Sequence, residues 1–461
     1  MVRLSLLLTT SCLMLVSLTA CASVTEHAQP PVIASAPAPT PIPVPAPTPA
    51  PSVVPSTTQV PPPPAVVAQP APLRPASSGA PSSSAAPPPP LDIVPLQFAQ
   101  VGFDALPEWA STDVSAARRA FVKSCAIFRV RPKDQPLSQV ATYAGRIRDW
   151  DTVCALATDA GLDDRLFWEA NFQPWKVATE AGDIGRLTGY YEPVMMASKV
   201  KTPVFSEPIQ ARPADLFEID LGQFDPTLRN RSIVARMDRG RVVPYWSRAQ
   251  INEATAPVLA WGEPAEVLSL QVQGSGRLQF EDGSQVRASF AGHNGHRFGS
   301  NAQELIRRGA LPVNGASMDA IKAWFKTANP QEAREVLNAN PRTVFFKLEP
   351  IIDPQVGPRG GQQVALEPNG SLAVDTSYHP YGMPIFLAAD APRVAVSGDV
   401  TVRRLVVAQD TGGAIRGPIR GDLYWGTGPE AGLRAGRINH DVRFWVLLPK
   451  TLGPVTSTGG R

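Results

Sequence analysis

The 461-residue chain carries 43 Lys and Arg against 40 Asp and Glu, a net charge of +3. That near balance argues against nucleic acid as a partner, which would call for a concentrated basic surface. The length leaves about 370 residues beyond Leu91, enough for one large or two moderate domains.

The N-terminus reads as an export signal, residues 1–20. Arg3 gives a positive start, and LSLLLTTSCLMLVSLTA is an apolar core too short to span a bilayer comfortably. Leu18-Thr19-Ala20-Cys21 follows the lipobox pattern, small residues before a cysteine that takes lipid and becomes the mature N-terminus. An ordinary cleavable signal or an uncleaved anchor is the alternative. Acyl chains on Cys21 would form a lipid anchor in the membrane, each buried CH₂ contributing ~0.8 kcal/mol. Ala22, where an aspartate would signal inner-membrane retention, favours an outer-membrane lipoprotein facing the periplasm of a Gram-negative cell.

Residues 21–93 form a Pro/Ala/Ser-rich tether. Twenty-three of the chain's 50 prolines lie between Pro30 and Pro90, and Glu26 and Arg74 are the only Asp, Glu, Lys or Arg between Cys21 and Leu91. Such a segment cannot bury a core.

From 107 to 179 the spacing predicts helices. SAARRAFVKSCAIF puts Ala120, Phe121, Cys125 and Phe128 on one face; TYAGRIRDWDTVCALATDA spaces Tyr143, Ile147, Trp150 and Cys154 alike; DDRLFWEANF makes a third helix. Cys12 leaves with the signal and Cys21 takes lipid, so Cys125 and Cys154 remain as an even pair in an oxidising compartment, and a disulfide is the natural reading. From GRLTGYYEPVMMAS onward short strands alternate with Gly and Pro turns, including EVLSLQVQGSGRLQF, SQVRASFAG and RTVFFKLE. One helical interlude runs from Ser300 through SMDAIKAWFKTA. The tail returns to strands in SLAVDTS, MPIFLAA, RRLVVAQD and RFWVLLPK. This pattern predicts a mainly β protein with N-terminal helices, built of barrels rather than an open parallel sheet.

No phosphate-cradling loop or nucleophile elbow is present. His293 and His296 form H-x-x-H, but no nearby Cys or third His completes a metal set, so neither metal nor cofactor is expected. Carboxylates and aromatic rings are left, the combination that carbohydrate sites use: rings stack on sugar faces and an acid protonates the bridging oxygen. Tyr190, Tyr191, Tyr245, Trp246, Tyr424 and Trp425 stand by polar or Gly-rich turns, and Gln271, Gln273, Ser275, His293 and Asn294 offer hydrogen-bonding side chains. Core packing is the competing role for each ring. The sharpest stretch is AQDTGGAIRGPIRGDLYWGTGPEAG, residues 408–432. A strand ends at Asp410, glycines turn the backbone, and Asp422 opens a second strand, a geometry that can bring two carboxylates close and push one toward its protonated form. Both could instead be turn aspartates that cap backbone N–H groups.

The sequence resembles the membrane-bound lytic transglycosylase A family with its C-terminal 3D domain, named for three aspartates. The resemblance rests on LTGYYEPV (187–194), SLQVQGSGRLQFEDGS (269–284), FAGHNGHRFGS (290–300), NPRTVFFKLE (340–349), LAVDTSYHPYGMPIFL (372–387) and AQDTGGAIRGPIRGDLYWGTGPEAGLRAG (408–436), in order over residues 107–450. It implies a double-psi β-barrel domain, residues 94–200 and 350–461, a second barrel-like β domain inserted at 201–349, and a groove between them for peptidoglycan glycan strands. It implies non-hydrolytic cleavage of the β-1,4 bond between N-acetylmuramic acid and N-acetylglucosamine, leaving 1,6-anhydro ends. Asp422 would be the acid and Asp410 its neighbour, with Asp375 organising the barrel turns. Thr188, Tyr190, Tyr191, Gln273, Ser275, His293, Asn294, Tyr424 and Trp425 would line the groove, and Glu192 would add a carboxylate near it. Proteins of cell-wall synthesis or division complexes are the further partners expected. A hydrolytic glycosidase using both aspartates, or a non-catalytic peptidoglycan-binding lipoprotein, is the alternative.

Overall fold

The computed structural model describes residues 94–453, apart from 229–230, 314, 316 and 391–400. The signal 1–20, Cys21 and the tether 21–93 lie outside the described residues.

In chain order, β1 (Gln97–Gln100) precedes helices α1 (Ser115–Val130), α2 (Asp151–Leu156) and α3 (Asp164–Asn171). Strands β2 (Phe172–Ala178), β3 (Gly185–Glu192), β4 (Val194–Ser198), β5 (Glu207–Gln210), β6 (Phe217–Asp220), β7 (Ser232–Asp238), β8 (Arg241–Pro244) and β9 (Val258–Gly262) follow. Helix α4 (Pro264–Gln273), strands β10 (Gly276–Phe280) and β11 (Gln285–His293), and helices α5 (Asn301–Arg307), α6 (Met318–Thr327) and α7 (Pro330–Asn338) lead to β12 (Val344–Pro350). The last part is β13 (Ser371–Val374), β14 (Pro384–Ala389), β15 (Val402–Asp410), β16 (Arg420–Thr427), α8 (Pro429–Gly436) and β17 (Asn439–Pro449).

Eight strands form one sheet in the order β1-β2-β17-β14-β15-β13-β16-β3, and β17 also pairs β3. β17 is long enough for two partners on one edge: Asn439–Val442 pair β3 and Trp445–Pro449 pair β2. Six strands therefore close on themselves, which removes their free edges. β14 is buried at all its positions, as befits an apolar run covered on both faces. Helix α1 packs its stripe of Ala117, Ala120, Phe121, Cys125 and Phe128 into the same core. A disulfide joins its Cys125 to Cys154 of α2.

The chain leaves this sheet at Pro193 and returns after Pro350. The strands between form a six-stranded sheet, β12-β11-β10-β4-β9-β5, and a three-stranded sheet, β6-β7-β8. Met195, Ile209, Leu270, Leu278 and Phe346 fill a core of their own there.

Several elements differ from the sequence reading. EVLSLQVQ predicts a strand but forms α4, with Pro264 in its first turn and Gly274 ending it at φ 81°. A short apolar run does not distinguish the two periods; the flanking Pro and Gly do. Residues 172–178 form β2, not helix, with Phe172, Pro174 and Val177 buried in turn. The Tyr143–Cys154 stretch is two short 3-10 turns, Thr142–Ala144 and Ile147–Trp150, before α2. The tail includes a helix, α8, with Pro429 in its first turn. Finally, β15 and β16 are not paired with each other: β13 lies between them.

Candidate active site

The inserted strand is what builds the site. Asp410 of β15 and Asp422 of β16 both pair with Ala373 of β13, one on each side. Residues in one register row project from the same sheet face, so the carboxylates flank a methyl group that leaves space between them. Strand spacing puts their Cα atoms roughly 10 Å apart. All three residues line a cavity of about 190 Å³. Tyr190, Gln273, Phe290, Phe298 and Arg342 close its sides, so both sheets contribute to its wall.

The two carboxylates are held differently. Asp422 Oδ1 accepts a hydrogen bond from Thr188 Oγ1 at 2.6 Å, and Thr188 is its register partner on β3. Thr188 Oγ1 in turn accepts from the Arg420 guanidinium at 2.8 Å. No protein hydrogen bond reaches Asp422 Oδ2 among the described residues. Burial pushes the Asp422 carboxyl up to about 6; the charge of Asp410 adds to this, while Thr188, Arg420 and Arg186 oppose it. Asp410 has both oxygens engaged. Oδ2 accepts from the Tyr190 hydroxyl at 2.8 Å, and Oδ1 accepts from the N–H groups of Gly361 and Thr411, each at 2.8 Å. Burial raises its pKa as well, against those three bonds. A Cβ at Gly361 would stand 2.2 Å from the Tyr381 hydroxyl, so any side chain here would displace that ring.

Gln273, the last residue of α4, faces the cavity, and its Oε1 accepts from the Tyr191 N–H at 3.0 Å, tying β3 to the second sheet. Asp375 is buried in a turn, accepting from the N–H groups of Gly417 at 2.8 Å and Ser377 at 3.1 Å.

The other expected groove residues lie elsewhere. Tyr424 is fully buried with its ring 5.3 Å from that of Tyr190, beneath the cavity floor. Tyr191 and Trp425 point to the opposite faces of their strands. Tyr191 packs where Gly432 of α8 has no side chain, and Trp425 lies beneath the Arg404 guanidinium at 5.7 Å. Asn294 spends its amide on the carbonyls of Trp246 and Pro341 and the N–H of Thr343, so it clamps loops. His293 accepts from Gly295 N–H at 2.9 Å, and burial, helped by Arg342, pushes its pKa down to about 4. Ser275 sits in the turn after α4, outside the cavity lining. Glu192 is also not a groove carboxylate. It is 0% exposed, 2.9 Å from Arg277 Nε, 2.6 Å from Arg287 Nε and 2.7 Å from Thr427 Oγ1. Phe290, Phe298 and Arg342 are among the lining residues that the sequence does not single out. The first two stand in the same short block as the histidines, where polar residues are the more conspicuous candidates.

A model of the MltA specific insert domain matches residues 186–347, and a model of the 3D domain matches residues 370–448. Membrane-bound lytic murein transglycosylase A of Escherichia coli K12 is 35% identical over 298 residues, 62% of this chain and 72% of that protein. The chain belongs to the membrane-bound lytic murein transglycosylase A family. Among solved structures of the family, the enzyme from Agrobacterium tumefaciens superposes with TM-score 0.65 at 28% identity, over 77% of this chain and 98% of that one. E. coli MltA with bound chitohexaose gives TM-score 0.54 at 27% identity, over 77% and 94%. The cavity draws on both matched segments of the transglycosylase: Asp410 and Asp422 come from the 3D segment, Tyr190, Gln273 and Arg342 from the insert segment, which also supplies Thr188, the hydrogen-bond partner of Asp422.

Proposed function

We propose that this chain is a lytic transglycosylase of peptidoglycan, cleaving the β-1,4 bond between N-acetylmuramic acid and N-acetylglucosamine without water. The observation that carries the reading is Asp422: a carboxyl raised to about 6, anchored through one oxygen to Thr188 and lining the cavity. An acid with that pKa holds its proton part of the time near neutrality and gives it up readily. In the first step Asp422 donates the proton to the glycosidic oxygen, the C1–O bond breaks and oxocarbenium character builds at C1. In the second, the resulting carboxylate takes the proton from the muramoyl C6 hydroxyl, whose oxygen bonds to C1 and closes the 1,6-anhydro ring. One carboxyl serves both steps, so no second carboxylate is needed to activate water. Asp410, its oxygens filled by Tyr190, Gly361 and Thr411, acts as a fixed negative neighbour rather than a nucleophile. Phe290 and Phe298 supply ring faces for sugars at the cavity wall.

Around this site we take the six closed strands as a double-psi barrel carrying the inserted β domain, with the glycan strand between them; the insert is set to begin at Val194 rather than at the expected residue 201, because β4 pairs with β10 and β9 of the second sheet. A signal at 1–20, lipid on Cys21 and a tether at 21–93 would make it an outer-membrane lipoprotein reaching into the periplasm; membrane-bound relatives support a membrane-associated periplasmic enzyme. Mass spectrometry of the products from purified murein tests the reaction. Anhydro-ended fragments are expected. Reducing ends would turn the assignment to the hydrolase.

A further inference from the structure

We infer that Arg248 is a positioning residue for the insert-side wall of the cavity: its buried guanidinium locks the last turn of α4 to residues 340–342 and so sets how tightly the glycan is held. The inference rests on the transglycosylase reading.

Arg248 does not itself line the cavity, and it is 7% exposed. It opens a short turn, Arg248–Gln250, whose backbone is pinned: the Arg248 N–H donates to the Pro341 carbonyl at 2.9 Å, and Gln250 Oε1 accepts from the Ser247 N–H at 3.0 Å. From there the guanidinium spreads over three acceptors. Nε donates to the Asn340 carbonyl at 3.1 Å, and Nη2 donates both to the Arg342 carbonyl at 2.9 Å and to Gln271 Oε1. Gln271, Asn340 and Arg342 all line the cavity. Gln271 stands in the last turn of α4, while Asn340 and Arg342 lead into β12. The wall is carried further from the same points. Asn340 Oδ1 accepts from the N–H groups of Gly299 at 3.0 Å and Arg342 at 3.1 Å, and the residue before Gly299 is Phe298 of the lining. The Arg342 guanidinium lies against the loop between the two aspartates, where a Cβ at Gly413 would stand 3.5 Å from its Cζ.

Filling this space does not call for a charge. A buried guanidinium carries a desolvation penalty that an apolar side chain of similar volume avoids. Its counter-charge is shared as well: Glu207, 3% exposed, is 3.8 Å from Arg248 Nη1 but 2.7 Å from Arg334. What arginine adds is a rigid planar fork of donors that can hold a helix and a loop in one geometry. Lysine would bring the charge without the fork. None of the fork's bonds reaches Asp422, which is held from the other sheet by Thr188. Loss of the fork should therefore loosen the grip on sugar and leave proton transfer as it is.

The test measures kcat and KM on soluble murein oligosaccharides with the full chain, each variant first shown to be folded by its melt. Arg248→Lys should raise KM about tenfold, the scale of a lost hydrogen bond to a charged group, with kcat within about twofold of wild type and an unmoved pH profile. Glu207→Gln removes the counter-charge and leaves the fork's acceptors in place; it should lower the melting temperature and hold KM within about threefold. Gln271→Leu removes one acceptor and should raise KM. Combined with Arg248→Lys it should add little to the larger single effect, as for two ends of one bond. The inference is overturned by wild-type KM in Arg248→Lys, by a loss of kcat at unchanged KM, by additive effects of the pair, or by a KM raised as much in Glu207→Gln. If Arg248→Lys does not fold, Gln271→Glu, which still accepts from the fork, is set against Gln271→Leu, and equal KM in the two overturns it. Anhydro products from the wild type leave the reaction standing in every case; their absence overturns the reading beneath it.

Discussion

At the scale of single residues the site turns on how two aspartates of the same sheet row are bonded. Asp422→Asn preserves shape and the bond from Thr188 but removes the proton. General acid catalysis contributes ~10²–10⁴-fold, and here one group also serves as base, so turnover of murein should fall to or beyond the upper end of that range. Asp410→Asn should cost less and move the pH optimum, because it removes a negative charge that raises Asp422. Retention of more than a few per cent of activity by Asp422→Asn, with complete loss in Asp410→Asn, would reverse the roles. The raised carboxyl also makes a stability prediction. With a folded pKa of about 6 and an unfolded value of about 3.9, the folded chain holds the Asp422 proton more tightly. That stabilisation is fully present below pH 4 and is lost as pH rises through 6. Asp422→Asn should therefore raise the melting temperature at pH 7.5, by about 4 °C for the roughly 3 kcal/mol that raising the pKa by about 2 represents, and leave it nearly unchanged near pH 4. Equal melting shifts at both pH values would remove burial of the charge as the cause.

Among elements, the sequence was most readable where local chemistry and final environment agree. RRLVVAQD is apolar at consecutive positions and forms a strand, β15, with Leu405–Gln409 all buried; SAARRAFVKSCAIF has a clean helical stripe and forms α1. It misled where the deciding partner was distant. No local signal tells that β13 slides between β15 and β16, although that insertion is what sets the aspartates around Ala373. Nor does a run such as LTGYYEPV say which ring faces the cavity: strand alternation sends Tyr190 inward and Tyr191 toward α8, and the register is a tertiary property. Glu192 shows the same limit, since its two arginines are contributed by β10 and β11, at Arg277 and Arg287. Glu192→Gln should leave two buried guanidiniums without their counter-charge and cost about 3–5 kcal/mol, read in a denaturant melt. A loss below 1 kcal/mol would mean the cluster is solvated. The disulfide between α1 and α2 closes a 29-residue separation, so replacing both Cys125 and Cys154 with Ala should cost roughly 3–4 kcal/mol. In the unreduced, unfolded chain neither cysteine should react with an alkylating thiol reagent; full labelling of both would exclude the bridge.

For the whole molecule, the lipobox motif and the proline-rich segment predict an enzyme whose reach and chemistry are separable. Cys21→Ser should move the protein out of the membrane fraction while digestion of isolated sacculi continues at the wild-type rate. Persistence of the variant in salt-washed membranes would point to an uncleaved helix or a protein partner. The fold itself carries a mechanical consequence. The two places where the chain passes between the sheets, Pro193 and the segment after Pro350, lie beside the Glu192 cluster, whose arginines also grip the carbonyls of Pro354 and Val356. One buried ion cluster thus braces both crossings at once. Loosening it, as in Glu192→Gln, should shift the wall bearing Phe290, Phe298 and Arg342 relative to Asp422, and turnover of murein should fall even where the fold survives; unchanged turnover in a folded variant would separate the brace from the site.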